Sequence, residues 1–221
     1  YRLLWRSLAS ADVIHCHFGQ TTMSVRSLPL HDPTRSGPME TAKVAYARFM
    51  WLKDLALWRW AGKRVAMTFY GDDVRPVAAS LTRNPWTPLC EPSLKQALEP
   101  RDALKREMVR VLARNCVRMF ATNPDLLVAL PLGSTFLPYA HVDPYRHDVV
   151  LPAAEGKLRL LHLPTHRDIK GTSLFVNAVE TLRAEGLQPD LALVEGAPND
   201  EALRTIAQHD VVLDQLRVGW Y

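Results

Sequence analysis

Short apolar runs alternate with amphipathic patterns along most of this chain. The runs with strand character cover 12–16, 64–69, 117–121, 135–137, 158–163, 191–194 and 211–213. A period near 3.6 residues predicts helices over 40–61, 102–115, 173–185 and 200–208. Because strands and helices alternate, the pattern predicts doubly wound α/β architecture, in which helices cover a parallel sheet on both faces.

Proline marks the breaks in this pattern. The segments 29–38 and 76–100 are rich in proline and without clear periodicity, so we expect both to be loops. A third stretch, 138–152, lacks strand character and contains Pro138, Pro144 and Pro152, which stiffen a linker. This linker predicts two Rossmann-like domains, 1–145 and 146–221.

The two predicted domains share one local plan, since Asp12 and Asp210 each stand directly before a strand. The chain starts without Met in an apolar, helix-like run and stops just after the predicted buried strand 211–213. A parallel strand needs the elements that follow it. We therefore expect an internal fragment, with the first strands of one domain and the end of the other missing, and inactive by itself.

Composition narrows the class of protein. With 221 residues and 48% hydrophobic content the chain can bury a substantial core. A net charge of +4 is far below the basic density of a nucleic-acid binder, so we expect no nucleic-acid partner. Three widely spaced cysteines favour reduced thiols and a cytoplasmic location, and no apolar run approaches the roughly 18 residues of a membrane span.

The turn after strand 158–163 has the composition of an anion site. Gly171 relaxes the turn, and Thr172 or Ser173 can cap the next helix. Free amides and the helix dipole attract phosphate there, and His166, Arg167 and Lys170 add positive charge. The segment predicts a nucleoside diphosphate site; the other interpretation is an ordinary strand-to-helix turn.

Five segments of the chain, taken together, carry a family resemblance. They are DVIHCHFGQT (12–21), VAMTFYGDDVR (65–75), LPYAHVDP (137–144), THRDIKGT (165–172) and DVVLDQLRVGWY (210–221). In this order they resemble the GT-B glycosyltransferases, in particular glycosyltransferase family 4. Tyr70 stands where this family commonly has histidine, and Tyr139 and Ala140 replace the usual residues of its interdomain motif.

The resemblance implies transfer of a sugar, with retention, from a UDP- or GDP-linked donor to a glycan or lipid-linked acceptor. Transfer would take place between two Rossmann-like domains. We expect no cofactor, and no metal ion either, because the second domain offers no D-x-D-like carboxylate pair at a strand end. Fixed positive charge stabilises a departing diphosphate, and Arg167 and Lys170 are the candidates for it. The spacing leaves open whether His166 or Arg167 takes the family's arginine position.

The resemblance also assigns further site residues. On the donor side these are His166, Gly171, Thr172, Glu195, Gly196 and Asp214. On the acceptor side they are His17, which is also a catalytic candidate, Gly19, Gly71 and Asp73. Asp73 is expected to fix its loop through Arg75.

Other functions are less well supported. His15 and His17 share a strand face, but two histidines are too few for zinc. No G-x-G-x-x-G follows a strand, which disfavours a dinucleotide-dependent oxidoreductase. Tyr70 and Tyr139 keep open a non-catalytic nucleotide- or sugar-binding module.

Two helices carry many basic residues, with two interpretations. One is peripheral contact with an anionic membrane, and the other is a solvated face over an ordinary core. The residues concerned are Lys105, Arg106, Arg110, Arg114 and Arg118, and Lys43, Arg48, Trp51, Lys53 and Trp58.

Overall fold

The computed structural model describes residues 2–24, 28–30, 37–138, 143 and 156–217, without the side chains of 93, 94 and 97. The described residues fall into two compact units. The first lies within Tyr1–Ser80 and Pro92–Tyr139, and the second within Leu81–Glu91 and Ala140–Gly219. Apart from Pro138 and Asp143, the predicted linker lies outside the described residues, as does Tyr139.

The first unit is built on a parallel sheet whose strands follow chain order, β1-β2-β3-β4. All four predicted strands of this unit are confirmed, as β1 (Val13–His17), β2 (Arg64–Phe69), β3 (Arg118–Ala121) and β4 (Thr135–Phe136). Five of the six β2 residues are buried, whereas β1 alternates between exposed and buried positions. The inner strand β2 therefore carries the core, and β1 presents Val13, His15 and His17 on one exposed face.

Helices α1 (Arg2–Ser10), α2 (Pro38–Met50) and α3 (Asp54–Trp60) belong to this unit. The prediction of a single helix over 40–61 is wrong, because the chain turns at 51–53 with Leu52 buried at φ 59°. No glycine or proline marks this break, so the periodicity could not reveal it. Trp58 is fully buried, which removes it from the proposed membrane face.

The segment 76–100 is not the loop that its prolines predicted. It contains α4 (Val77–Arg83), a 3₁₀ turn (Pro88–Cys90) and α5 (Pro92–Leu98). Prolines lie at Pro88 and Pro92, the first residues of their elements, where a missing N–H costs nothing. The segment 29–38 lies mostly outside the described residues, and its last residue, Pro38, begins α2.

Helix α6 (Arg101–Asn115) confirms the predicted helix and corrects its basic face. Lys105 is buried rather than exposed, and its Nζ donates to the Arg75 carbonyl at 2.7 Å. Asp102 is buried beside it and accepts the Val77 backbone N–H at 2.8 Å. Arg106, Arg110 and Arg114 remain exposed on the helix.

The second unit has a parallel sheet of β5 (Arg159–His162), β6 (Asp190–Leu193) and β7 (Val211–Val212). Its order is β6-β5-β7, so the strand order reverses at β5. The helices are the short α7 (Arg167–Lys170), then α8 (Thr172–Ala184) and α9 (Asn199–Ile206). Phe175 and Val179 are the buried apolar residues of α8, four residues apart on one face of the helix.

Strand β7 differs from the predicted buried strand. It is an edge strand of the described sheet, and Val211 and Val212 are 41% and 42% exposed. Its start is fastened by Asp210, which accepts the Arg159 backbone N–H at 2.7 Å and the guanidinium Nη2 at 2.8 Å. Hydrogen bonding from the Arg159 side chain lowers the pKa of the Asp210 carboxyl below its ordinary value.

Asp210→Asn is expected to destabilise the second unit at neutral pH and to have little effect in acid. A carboxyl whose pKa is lowered by folding contributes stability above its unfolded pKa, and this contribution disappears as the pH falls through the folded value. Urea unfolding at pH 7 and at about pH 3 measures the difference. Asp190→Asn, at the exposed start of β6, is the control; an equal loss at both pH values would contradict the prediction.

Candidate functional site

The reversal of strand order in the second unit creates a natural ligand position. Strands β6 and β7 flank β5 on opposite sides, and the segments that follow β5 and β7 meet at the carboxyl edge, where the Leu216 N–H donates to the Lys170 carbonyl. In open parallel sheets ligands bind in the crevice at such a point. The described strands of the first unit follow one another without a reversal. The topology therefore favours the edge that follows His162, Leu193 and Val212.

The predicted anion loop lies at this edge and contains one element that the sequence did not reveal. Helix α7 interrupts the turn, and Gly171 then adopts the left-handed conformation (φ 79°, ψ 36°) that starts α8. Gly171 is the N-cap residue, so the prediction that Thr172 or Ser173 caps this helix is wrong. The Leu174 and Phe175 N–H groups both donate to the Gly171 carbonyl.

Thr172 does not cap the helix because its hydroxyl contacts His162. The His162 ring is fully buried, and its Nε2 lies 2.9 Å from Thr172 Oγ1. Its Nδ1 lies 2.6 Å from the Leu213 carbonyl, which can only accept a hydrogen bond. In the neutral ring Nδ1 therefore carries the proton, and Thr172 donates to Nε2. His162 thus joins the ends of β5 and β7 to the start of α8.

Sequence reasoning did not single out His162. Its signal was a histidine inside the apolar run 158–163, immediately before the anion loop. A buried polar group in such a position needs partners, and here the partners come from two neighbouring elements.

Arg167 projects from α7 to the β6 side of the edge. Its Nε and Nη2 donate to the two carboxylate oxygens of Glu195 at 2.8 and 2.6 Å, a bidentate pair. The hydrogen bonds from Arg167 lower the pKa of the Glu195 carboxyl. Both side chains remain largely exposed, at 56% and 42%. Gly196, at φ 67°, turns the chain directly after this pair.

Lys170 reaches the β7 side of the same edge. Its Nζ donates to Asp214 Oδ1 at 2.8 Å. The lysine side chain is 13% exposed and the aspartate 60% exposed. The two predicted cations therefore lie at one sheet edge, as the sequence predicted, but each is paired with a carboxylate that was predicted to face the donor. His166 precedes α7 and is exposed.

Arg217, in the segment that follows β7, contacts the predicted anion loop. Sequence reasoning did not single out this residue. Its Nη1 donates to the Asp168 carbonyl at 3.1 Å, and its Nη2 pairs with Glu91 at 3.3 Å. The Arg217 stem fills the space beside Gly171, where an added Cβ would come within 3.1 Å of Cγ. Asn84 Nδ2 donates to the Arg217 carbonyl at 2.8 Å, so the segment Leu81–Glu91 supports the loop.

The acceptor-side candidates cluster at the carboxyl edge of the first sheet. The rings of His15 and His17 lie 4.4 Å apart on one face of β1. His17 Nδ1 lies 2.7 Å from the Tyr70 hydroxyl, and His15 Nε2 lies 2.7 Å from Thr68 Oγ1. Burial, with a smaller effect of the nearby His17, lowers the pKa of His15. The phenol of Tyr70 is thus a direct partner of His17.

Two left-handed residues follow His17. Phe18 has φ 59°, an uncommon conformation for a bulky residue, and its ring stacks on Tyr70 at 4.3 Å. Gly19 has φ 66°, and an added Cβ would lie 2.4 Å from Met108 Sδ. A larger residue at Gly19 would therefore be strained at this φ and would force the end of the Met108 side chain to shift.

Asp73 fixes its loop differently from the prediction. Its carboxylate accepts the backbone N–H of Tyr70 at 3.0 Å and that of Gly71 at 2.8 Å. Arg75 instead bonds Asp125 at 2.9 Å and Asp72 at 3.2 Å, which corrects the predicted link between Asp73 and Arg75. Burial raises the pKa of Asp73, with the backbone hydrogen bonds opposing the shift.

Comparison with known proteins adds no assignment. No protein-family model matches the chain, and no curated protein matches it.

The described ranges contain no group of three or more His, Cys, Asp or Glu side chains that could hold a metal ion. Of the helices in those ranges, none combines the length and apolarity needed to cross a membrane.

The three cysteines are free thiols. Burial raises the pKa of Cys16 and of Cys116 to about 12, so both thiols are protonated and unreactive near neutral pH. Cys90 is exposed, and its Sγ lies 3.1 Å from the Pro85 carbonyl.

Proposed function

We propose that the second unit binds a nucleoside diphosphate and that the chain belongs to a GT-B glycosyltransferase. The supporting observation is the reversal of strand order at β5, with Arg167 and Lys170 reaching the two flanks of that strand. The donor is a UDP- or GDP-linked sugar, and the departing diphosphate takes its stabilising charge from these two residues. No cofactor takes part.

The first unit supplies the acceptor side in this proposal. Three features form one polar and aromatic edge of this unit. They are the His17 ring bonded to Tyr70, the tight turn at Gly19, and the loop fixed by the hydrogen bond from the Gly71 N–H to Asp73. Such an edge suits a hydroxyl-rich ring, which packs its C–H face on aromatic groups. The acceptor is a glycan or a lipid-linked sugar, and peripheral membrane contact belongs to the lipid-linked case.

The proposal is tested by calorimetric titration of UDP and GDP in EDTA. Because protein cations neutralise the diphosphate, binding should persist without a divalent metal. UMP lacks the second phosphate and should bind about 10- to 150-fold more weakly, since a hydrogen bond to a charged group contributes about 1.5–3 kcal/mol. Amide exchange should show protection in 162–172.

Two results would refute the donor site. Loss of affinity in EDTA would show that a metal ion is required, and protection confined to the first unit would show that the site is misplaced. UDP binding by the full-length protein without turnover of any sugar nucleotide would favour the second candidate, a non-catalytic binding module. Tyr70, in the position where the family commonly has histidine, is the feature that favours this candidate.

A further inference from the structure

The two cations of the proposed donor site are each paired within the chain. Glu195 follows β6 and meets Arg167, and Asp214 follows β7 and meets Lys170. One carboxylate thus lies on each side of the central strand β5. Glu195 occupies the face of the Arg167 guanidinium formed by Nε and Nη2, so a phosphate that binds this face must displace the carboxylate.

We propose that Glu195 and Asp214 are internal anions that occupy Arg167 and Lys170 until a diphosphate group displaces them, and that these carboxylates set the affinity for the ligand. The inference rests on the proposed function and adds the residues that oppose binding. It changes the predicted role of both carboxylates, from contacts that hold the donor to groups that leave when it arrives.

Exposure makes the exchange feasible. Asp214 is 60% exposed and Glu195 is 42% exposed, so each carboxylate can be solvated when it leaves its partner. Exposed ion pairs contribute little to stability, whereas a diphosphate brings at least two charges to both cations together. Asp210 at the opposite edge differs, because it is 15% exposed and also accepts a backbone N–H.

The test titrates inorganic pyrophosphate and, separately, UDP into the wild-type chain, Glu195→Gln, Asp214→Asn and the double variant at constant ionic strength in EDTA. Each single variant should bind pyrophosphate about two- to fivefold more tightly, the range that follows from releasing one exposed ion pair. The double variant should show roughly the product of the two effects, because the carboxylates hold different cations.

Matched controls remove the same charges elsewhere in the second unit. Glu185→Gln lies just past the far end of α8, about 20 Å along the helix from Gly171 at 1.5 Å per residue. Asp190→Asn lies at the start of β6, at the opposite edge of the sheet. Neither control should change pyrophosphate affinity by more than the loss of one distant charge at that ionic strength.

Unchanged or weaker pyrophosphate binding by Glu195→Gln and Asp214→Asn would overturn the inference. If the wild-type chain nevertheless binds UDP, the proposed donor site stands and the carboxylates are structural or contact the ligand. If neither the wild-type chain nor the double variant binds UDP or pyrophosphate, the donor site and the inference both fail. Tighter binding of pyrophosphate by both single variants supports the inference.

Discussion

In the full-length enzyme, Lys170→Ala is expected to lower the rate of sugar transfer about 100- to 1000-fold, the usual cost of losing one electrostatic donor to the transition state. Negative charge grows on the diphosphate as the glycosidic bond breaks, and the Lys170 ammonium group lies at the edge where we place that diphosphate. Its side chain is only 13% exposed, so water screens its charge less than it screens an exposed lysine.

The measurement is release of nucleoside diphosphate from the sugar nucleotide that binds, with folding followed by thermal unfolding. Some loss of stability is expected, because the Lys170 side chain is only 13% exposed and its truncation removes packing. Lys157→Ala is the control: this lysine is exposed and precedes β5, at the opposite edge of the same sheet. Unchanged turnover in a folded Lys170→Ala variant would remove Lys170 from the mechanism.

Trp58→Ala is expected to destabilise the first unit by about 3–5 kcal/mol, the range for truncating a buried aromatic residue. Trp58 is fully buried, and its indole N–H donates to Ser7 Oγ at 2.8 Å. Ser7 in turn donates to the Leu4 carbonyl, so the loss also releases the contact between α3 and α1. Such a change is a large part of the total stability of a domain, about 5–15 kcal/mol.

Urea unfolding measures the stability of Trp58→Ala, and Trp60→Ala, two residues away, is the control. Trp60 lies on the same helix and is 89% exposed, so Trp60→Ala should change the free energy of unfolding by no more than about 0.5 kcal/mol. Trp58→Phe keeps most of the apolar volume and loses the hydrogen bond. Its free energy of unfolding should fall between those of Trp58→Ala and Trp60→Ala. A Trp58→Ala variant as stable as Trp60→Ala would contradict the packing described for α3.

In the proposed site, ion pairs within the chain compete with the ion pairs that a bound diphosphate would form. Arg167 and Lys170 must be well enough paired to leave few uncompensated charges, yet available to an incoming anion. Partly exposed carboxylates meet both requirements, since their ion pairs are weak and their release into water costs little. Buried pairs such as Asp102 and Lys105, both about 5% exposed, cannot exchange in this way and hold the fold instead.

The sequence by itself determined the α/β class, the seven strands of the described residues and the helices α6, α8 and α9. Short apolar runs are specific for strands here because inner parallel strands are buried on both faces, as β2 shows. It also predicted one sheet edge for Arg167, Lys170, Glu195 and Asp214. The reason is that residues following neighbouring parallel strands lie at the carboxyl edge of the sheet. These outcomes depend on periodicity and on strand direction, which are local properties of the chain.

The tertiary structure decided the helix break at Leu52, the burial of Lys105 and the partners of the charged groups. The break contains no glycine or proline, and burial depends on what packs against a helix rather than on the helix itself. Thr172 and Asp73 each have several possible hydrogen-bond partners close in sequence. Thr172 bonds His162 because the end of β5 lies beside the start of α8. Asp73 bonds the Tyr70 and Gly71 amides because of the geometry of its loop. Hydrogen-bond partners are chosen by three-dimensional proximity, and periodicity along the chain carries no information about it.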